Sequence, residues 1–439
     1  MAREYEELNR DRTEPGKARW RRDQARKRQR RRRLLTFGLV LAVSLVVLGV
    51  VLLRSCDARD PNASTQPTIG TTAAPTVPST PRPGPTLPTE PETVITLIAG
   101  GDINITDKVV ASGQQNGQYD YTQNFLDIAG ILSGADGAVV NFEGNLAGAP
   151  YGSASASAPQ ELMQALWRAG VDFVQTANSC AINNGIGGLR STIDGIRQAG
   201  MLPLGTFATQ EDYEQDQGFT ICNIGGIRVA FVAFTKGLGG LSLPSGSEHC
   251  VNLLYTDYAS TYQKIDEKGI EAMLRRVEAQ QPDVTIALLH WGSEYNSVIG
   301  TRQERIVEIM LAGGVDAIIG THSHYVQKVV YDRENGTVVA YSLGDLYGDG
   351  EKNGTNYSIL LELEITRNNA TGQTRITGCE YIPVYQLTPE RDGEPMRLVR
   401  ILDAMAQYEN HHINCVGDTA YANMKAALSK IKSKTGLYE

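Results

Sequence analysis

Two short apolar runs, Val284–Leu289 and Val315–Ile319, each stop abruptly at residues that bind metals or exchange protons. His290 and Glu294 follow the first; His322 and His324 follow the second. Runs of this length and composition read as buried strands, and the amphipathic Gln303–Leu311 supplies the helix between them. In open α/β sheets ligands collect outside the carboxyl ends of the strands, so the chemistry-bearing side chains stand where a site forms.

The same design recurs upstream. Val94–Asp102 runs into Gly-Gly-Asp, Gly134–Glu143 ends in Asn141 and Glu143, and Val171–Ala177 ends at Asn178. Helical patterns cover Gln160–Ala169, Gly187–Gln198 and Ile265–Ala279, and Phe219–Ile224 with Ile227–Phe234 reads as a hairpin around Gly225–Gly226. After Val326 the signals turn antiparallel. Lys328–Asp332 and Thr337–Ser342 flank Glu334-Asn335-Gly336, and Ser358–Thr366 and Thr374–Pro383 flank a second turn. Helices at Leu398–Tyr408 and Tyr421–Ile431 close the chain. Strands alternating with helices, then antiparallel strands, indicate an α/β sandwich of two packed sheets with outer helices.

The N-terminal part is organised differently. Residues 1–33 hold fourteen Lys/Arg against six Asp/Glu, leaving twenty-seven against forty-three, about −16, in the remainder. Leu34–Leu53 is an uncharged run of twenty residues, which at about 1.5 Å per residue matches a hydrocarbon core of roughly 30 Å. It reads as a single transmembrane helix preceding the sandwich. The basic Arg26–Arg33 before it places the N-terminus in the cytoplasm and the rest outside the cell membrane. A cleaved signal peptide is the competing reading, but it expects a shorter apolar run and a small-x-small site. Beside a membrane span the basic run is an orientation signal touching anionic lipid, so no nucleic-acid partner is expected. Residues 54–92 are rich in Pro and Thr and read as an extended extracellular stalk. The organisation is therefore a basic tail (1–33), a span (34–53), a stalk (54–92) and a folded domain (93–439).

Six cysteines, Cys56, Cys180, Cys222, Cys250, Cys379 and Cys415, form no CxxC pair, which excludes a zinc ribbon or a dithiol redox motif. An external compartment permits disulfides, and at most one or two are expected. Asp102, Glu143, Asn178, His290, His322 and His324 are the acid, amide and imidazole types that hold Mn, Fe, Zn or Mg at a hydrolytic centre. Any one of them alone reads as a cap or a hydrogen-bonded core residue. Six at successive strand ends form a constellation.

The ordered motifs Gly100–Asp102, Asn141–Leu146, Thr176–Gly200, Leu288–Tyr295, Gly320–Gln327 and Tyr341–Leu346 resemble the CapA family of bacterial capsule-synthesis proteins, over roughly Val94 to Pro389. That family is associated with poly-γ-glutamate production and related in fold to calcineurin-like metallophosphoesterases. The resemblance implies a four-layer α/β/β/α sandwich and a divalent metal ion. It puts Asp102, Glu143, His290, His322 and His324 at metal positions. His290, Glu294 and Cys180 fall at catalytic positions, and Asn178, Gln303, Gln327 and Tyr341 face substrate. The departures are specific. Where the family has Asn-Asn-His and then Asp, this chain has Asn178-Ser179-Cys180 and Asn183; Asn104 stands where related phosphoesterases commonly have His, and Asp345 where the family usually has Asn. Cys180 is either a soft ligand or a small buried residue.

Three readings follow. A metal-dependent hydrolase would trim or release an extracellular polymer; a degenerate relative would bind an anionic polymer and scaffold other capsule-synthesis membrane proteins; a structural reading makes the histidines core and turn residues. An external part near −16 repels a polyanion, though screening limits this to about 8 Å, so a metal or a local cation is required. Lys236, Arg302 and Lys328 lie nearest the motifs in sequence.

Overall fold

The computed structural model describes residues 91–388, 395–410 and 416–437. The tail, the apolar run, nearly all of the stalk, Cys56 and Cys415 lie outside the described residues. Among the described residues no helix is long and apolar enough to cross a membrane.

Fourteen strands form two sheets. The first contains β1 (Glu92–Asn104), β2 (Gly137–Glu143), β3 (Phe173–Gln175) and β4 (Leu202–Leu204), and the second starts with β5 (Thr220–Ile224), β6 (Ile227–Thr235), β7 (Val284–His290) and β8 (Ala317–Thr321). The chain adds β9 (Val329–Asp332) and β10 (Thr337–Ala340) to the second sheet. It returns to the first with β11 (Asp345–Tyr347), β12 (Tyr357–Asn368), β13 (Thr374–Leu387) and β14 (Arg397–Arg400). The first sheet runs β14-β13-β12-β1-β2-β3-β4, with β11 beside the end of β1; the second runs β9-β10-β8-β7-β6-β5.

Period-two alternation makes the layers. In β7, Val284, Ile286 and Leu288 enter the core between the sheets, while Ala287 and Leu289 face outward. In β1, Ile95, Leu97 and Ala99 face inward and Ile98 outward. The outer face of the first sheet is covered by α1 (Thr122–Leu132) through Phe125, Ile128 and Leu132, and by α2 (Gln160–Ala169) through Leu162, Met163 and Leu166. Two helices, α3 (Glu267–Ala279) and α4 (Thr301–Ala312), cover the second sheet through Ile270, Met273, Ile306 and Met310. The result is the expected α/β/β/α order. Each helix offers an apolar stripe at three- and four-residue spacing, which is buried only against a sheet face.

Some segments differ from the sequence expectation. The expected helix Leu398–Tyr408 begins as strand β14 and turns helical only at Ile401, because residues 397–400 pair antiparallel with Leu387 to Val384 of β13. Propensity yielded to pairing with the preceding strand. The expected strand Val171–Ala177 is cut to Phe173–Gln175, and β10 pairs parallel with β8 as well as antiparallel with β9. Cys180, Cys250 and Cys379 are free thiols.

The strand ends are brought together by close backbone approach. A Cβ on Gly101 would lie 1.8 Å from the Gly344 carbonyl oxygen, and the adjacent Asp102 N–H donates to that oxygen at 3.0 Å. Only a residue without a side chain lets β1 and β11 meet there.

Candidate metal centre

Strand parity delivers the site. Val139 of β2 faces the inter-sheet core, so Asn141 and Glu143 share that face; Ile286 and Leu288 of β7 face it from the other sheet, and so does His290. Asp102 lies in register with Asn141 on one side and Asp345 on the other. Side chains from the two sheets therefore converge at the carboxyl ends of β1, β2, β7 and β8. His322 and His324 follow β8 directly.

The contacts are short and enclosed. Asn141 Nδ2 donates to Asp102 Oδ1 at 2.6 Å, and the His322 N–H donates to Asp102 Oδ2 at 3.0 Å. His290 Nδ1 lies 3.0 Å from Thr321 Oγ1 and 3.8 Å from Asp102 Oδ1, and its Nε2 lies 3.3 Å from Glu143 Oε1. The His290 and His322 rings are 4.4 Å apart. His324 Nδ1 sits 2.7 Å from Asp345 Oδ1, with Tyr295 stacked on the ring at 4.7 Å. Asp102, Glu143, His290, His322 and His324 are each no more than 4% exposed.

The backbone is strained at the same place. His322 has φ +87°, His324 φ +60° and Tyr295 φ +53°, left-handed conformations that cost a bulky residue of order 1–3 kcal/mol each. The strain turns the chain sharply enough after β8 to bring both imidazoles to the cluster.

These residues fit a divalent ion. Ligand atoms of Glu143, His290 and His322 lie within 4.8 Å of one another, as do those of Asp102, Glu143 and His324, so Glu143 belongs to both groups. Glu143 Oε2, His290 Nε2 and His322 Nδ1 are buried without a hydrogen bond among the described residues. Buried polar atoms are nearly always satisfied, and three unsatisfied ones in one ligand group constitute a donor set for a cation. His324 Nδ1 is engaged by Asp345, which leaves Nε2 to face the cluster, in the manner of a carboxylate that orients a metal-binding imidazole.

The protonation states of His322 and Glu143 suit that role. Burial holds the His322 imidazole well below its usual range, leaving it neutral. Burial alone would raise the Glu143 carboxyl, but the neighbouring imidazoles, His290 first, hold it well below the usual carboxylate range. Burial and the Glu143 charge push Asp102 up. Burial opposes charge on His324, yet the hydrogen bond and charge of Asp345 push it up to about 10; Asp345 itself is pushed up by burial, to about 7.

Other expected residues stand elsewhere. Asn178, read as facing substrate, spends its amide inside the protein: Nδ2 donates to Asn141 Oδ1 and the Phe142 carbonyl, and Oδ1 accepts from the Cys180 N–H. Gln303 is a capping residue, its Oε1 accepting from the Gly300 N–H at 3.0 Å at the start of α4. Tyr341 stacks on Trp291 in the outer apolar layer of the second sheet, where the Trp291 Nε1–H donates to its carbonyl. Its distance in sequence from the inward-facing Ala340 already gives it the outward parity. Gln327 is buried and holds the Asn296 carbonyl at 2.8 Å, with Oε1 unsatisfied. Glu294 is exposed.

Burial and the Glu143 charge push the Cys180 thiol up, and the thiol belongs to neither of the two ligand groups. Ser179 Oγ donates to Glu143 Oε1 at 2.5 Å, tying this segment to the cluster. Arg302 reaches Gln263 and Lys328 is exposed, whereas Lys236 is half-buried and hydrogen-bonded to Gly292. One supporting residue went unread in the sequence, Thr321 as the partner of His290, while Asp345, noted there as a departure from the family, is the partner of His324. Thr321 shares the inward parity of Ile319, and that was the available signal.

Comparison with known proteins gives a consistent family. Residues 96–350 match the family profile described as "Bacterial capsule synthesis protein PGA_cap". The chain is 25% identical over 221 residues to the capsule biosynthesis protein CapA of Bacillus anthracis, covering 49% of each. It is 26% identical over 218 residues to the PGA biosynthesis protein CapA of Bacillus subtilis (strain 168), covering 49% of this chain and 52% of that one. The chain spans about half the length of the curated relatives it matches. Similar solved structures include a putative 5'-nucleotidase from Staphylococcus aureus, 13% identical with TM-score 0.43, over 76% of this chain and 58% of that one. They also include the calcineurin-like phosphoesterase YfkN from Bacillus subtilis, 13% identical with TM-score 0.40, over 78% and 99%.

Proposed function

The chain belongs to the bacterial capsule synthesis family PGA_cap, and from that premise we propose that it acts in the synthesis, export or trimming of an anionic extracellular polymer such as poly-γ-glutamate, as a metal-dependent hydrolase. The observation that carries the reading is the set of three buried, unsatisfied ligand atoms on Glu143, His290 and His322. Asp102, Glu143, His290, His322 and His324 would hold one divalent ion, or two sharing Glu143. A bound ion supplies Lewis-acid polarisation of a phosphoryl or carbonyl oxygen. The chain's own groups do the rest. Asp345 keeps the proton on His324 Nδ1 and fixes the ring; Thr321 and Asn141 fix His290; the inter-sheet core beneath excludes water from the carboxylates. Glu294, exposed next to Tyr295, is the further catalytic candidate there.

The uncharged Leu34–Leu53 and the basic residues before it support anchoring in the cell membrane with the folded part outside, within reach of lipid, polymer and other capsule-synthesis membrane proteins. A second reading, a polymer-binding scaffold without catalysis, is favoured by one observation: Ser179 and the protonated Cys180 put no imidazole beside Glu143 on that side.

Metal content tests the centre on which the first reading depends. Elemental analysis of the full chain in detergent is expected to show one or two equivalents of a divalent metal, lost in His322→Ala while the variant still melts cooperatively. Metal-free wild-type protein, or metal unchanged in His322→Ala, refutes the metal centre.

A further inference from the structure

The cluster brings together two carboxylates and their hydrogen-bond partners, yet an anionic polymer must approach it. Among the cations that the sequence places near the motifs, Lys236 alone is built into the site. Its backbone N–H donates to the His290 carbonyl at 2.8 Å, which locks the residue after β6 to the metal-facing end of β7. The chain then turns through Gly237–Gly240, and a Cβ on Gly239 would sit 3.4 Å from the Ser179 carbonyl oxygen and 3.9 Å from Asn183 Oδ1. This glycine-rich loop therefore packs on the Ser179–Cys180 segment.

The Lys236 ammonium is half-buried. It donates to the Gly292 carbonyl at 2.6 Å and lies 4.7 Å from the centre of the Tyr262 ring. It makes no ion pair with a carboxylate among the described residues. An ammonium has three donors, and taking it partly out of water without a counter-charge is costly. Burial accordingly lowers its pKa, with Glu294 the charge that opposes the shift. Its backbone bond to His290 and its ammonium bond to Gly292, two residues on, tie it to the end of β7 from which His290 enters the cluster. Lys352, on the other side of the site, differs: it lies over the Tyr295 ring but is exposed, near Glu351, which pairs with Lys108 at 2.8 Å.

We propose that Lys236 is the anion-binding residue of this centre, its ammonium taking an oxyanion of the substrate, carboxylate or phosphoryl, on the Ser179–Cys180 side of the cluster. The inference rests on the metal-centre reading for its context and not for its test. Two donors of the ammonium remain for the ligand, and Tyr262 and the Gly292 carbonyl hold the stem in place.

The test is calorimetric binding of two probes, inorganic phosphate and γ-linked tetraglutamate, to the full chain in detergent, with and without chelator. The proteins compared are the wild type, Lys236→Gln, which keeps a donor for Gly292 and drops the charge, and Lys236→Arg, which keeps the charge. Hydrogen bonds to charged groups contribute about 1.5–3 kcal/mol, so Lys236→Gln should weaken the bound probe by about tenfold or more. Metal content should stay at the wild-type level, and Lys236→Arg should retain most of the binding. Preference for one probe identifies the source of the oxyanion. Equal binding by wild type and Lys236→Gln, or no binding of either probe by the wild type, overturns the assignment. Lys236-dependent binding in a wild type that holds no metal leaves this inference standing and refutes the metal centre instead.

Discussion

Stripping the metal should destabilise the protein by an amount that the buried ligand atoms set. Glu143 Oε2, His290 Nε2 and His322 Nδ1 make no hydrogen bond within the fold, and each unsatisfied buried polar group costs about 1–3 kcal/mol. Three of them bound the penalty at about 3–9 kcal/mol. Mass action sets its own scale: a ligand at a thousandfold excess over its Kd contributes about 4 kcal/mol, which lies at the lower end of that range. For a domain larger than about 250 residues, 1 kcal/mol moves Tm by about 2 °C, so the expected loss is about 8 °C. Differential scanning calorimetry with and without chelator measures it, and readdition of Mn or Zn should restore the melt. His322→Ala removes one ligand and one orphaned atom together, so its melting should be insensitive to chelator. A wild type whose Tm moves by less than about 2 °C on chelation would refute the argument that these atoms are a donor set.

Two further substitutions test the frame around the site. Gly101→Ala would force a methyl to within 1.8 Å of the Gly344 carbonyl oxygen, so it should cost about 3 kcal/mol and displace Asp102; a variant that melts and binds metal like its parent would contradict the packing. Asp316, at the outer side of the second sheet, has its carboxyl pushed up to about 6 by burial, against a hydrogen bond from the Thr285 N–H at 2.7 Å. The folded-state pKa exceeds the unfolded value near 3.9, so the protonated form favours folding and stability falls as pH rises from about 4 through 6. Over that window the full shift is worth about 3 kcal/mol, reduced to about 1–2 by partial exposure. Asp316→Asn should therefore raise stability in urea at pH 7.5 and leave it nearly unchanged at pH 4; a loss at pH 7.5 would sink the assignment.

The five residues of the cluster were legible because each follows an apolar run short enough to be one buried strand, and because period two fixes which side chains share a face. His290 with Leu288 and Glu143 with Val139 obey that rule to the last residue. Tyr341 and Gln303, expected to face substrate, take stacking and capping roles that local rules foretell: Tyr341 has the outward parity of Val339, and Gln303 is the third residue of its helix. Asn178 was a different matter. Its amide is consumed by Asn141 and the Phe142 carbonyl on the neighbouring strand, contacts that only the packed sheet creates. The same holds for β14, which a helical pattern conceals until β13 supplies a partner, and for the left-handed backbone at His322 and His324, which no residue type there announces.

The electrostatics of the whole chain and of the site pull in opposite directions, and distance decides between them. The part after residue 33 carries about −16, yet charges farther than about 8 Å from a ligand are largely screened at physiological salt. A polyanion of the kind proposed would thus be opposed only weakly during approach, and its binding would be settled by the groups it touches. At the site, Asp102 and Glu143 are buried among the imidazoles, and Lys236 sits half-buried with no carboxylate paired to it among the described residues. Left to themselves, two buried acids, two left-handed histidines and a half-buried ammonium would each weaken the fold by a kcal/mol or more. A bound cation over the acids and an oxyanion against the ammonium relieve both the electrostatic and the hydrogen-bonding part of that cost at once. The arrangement is therefore better balanced with metal and anion bound together than with either alone, which predicts that each should tighten the binding of the other.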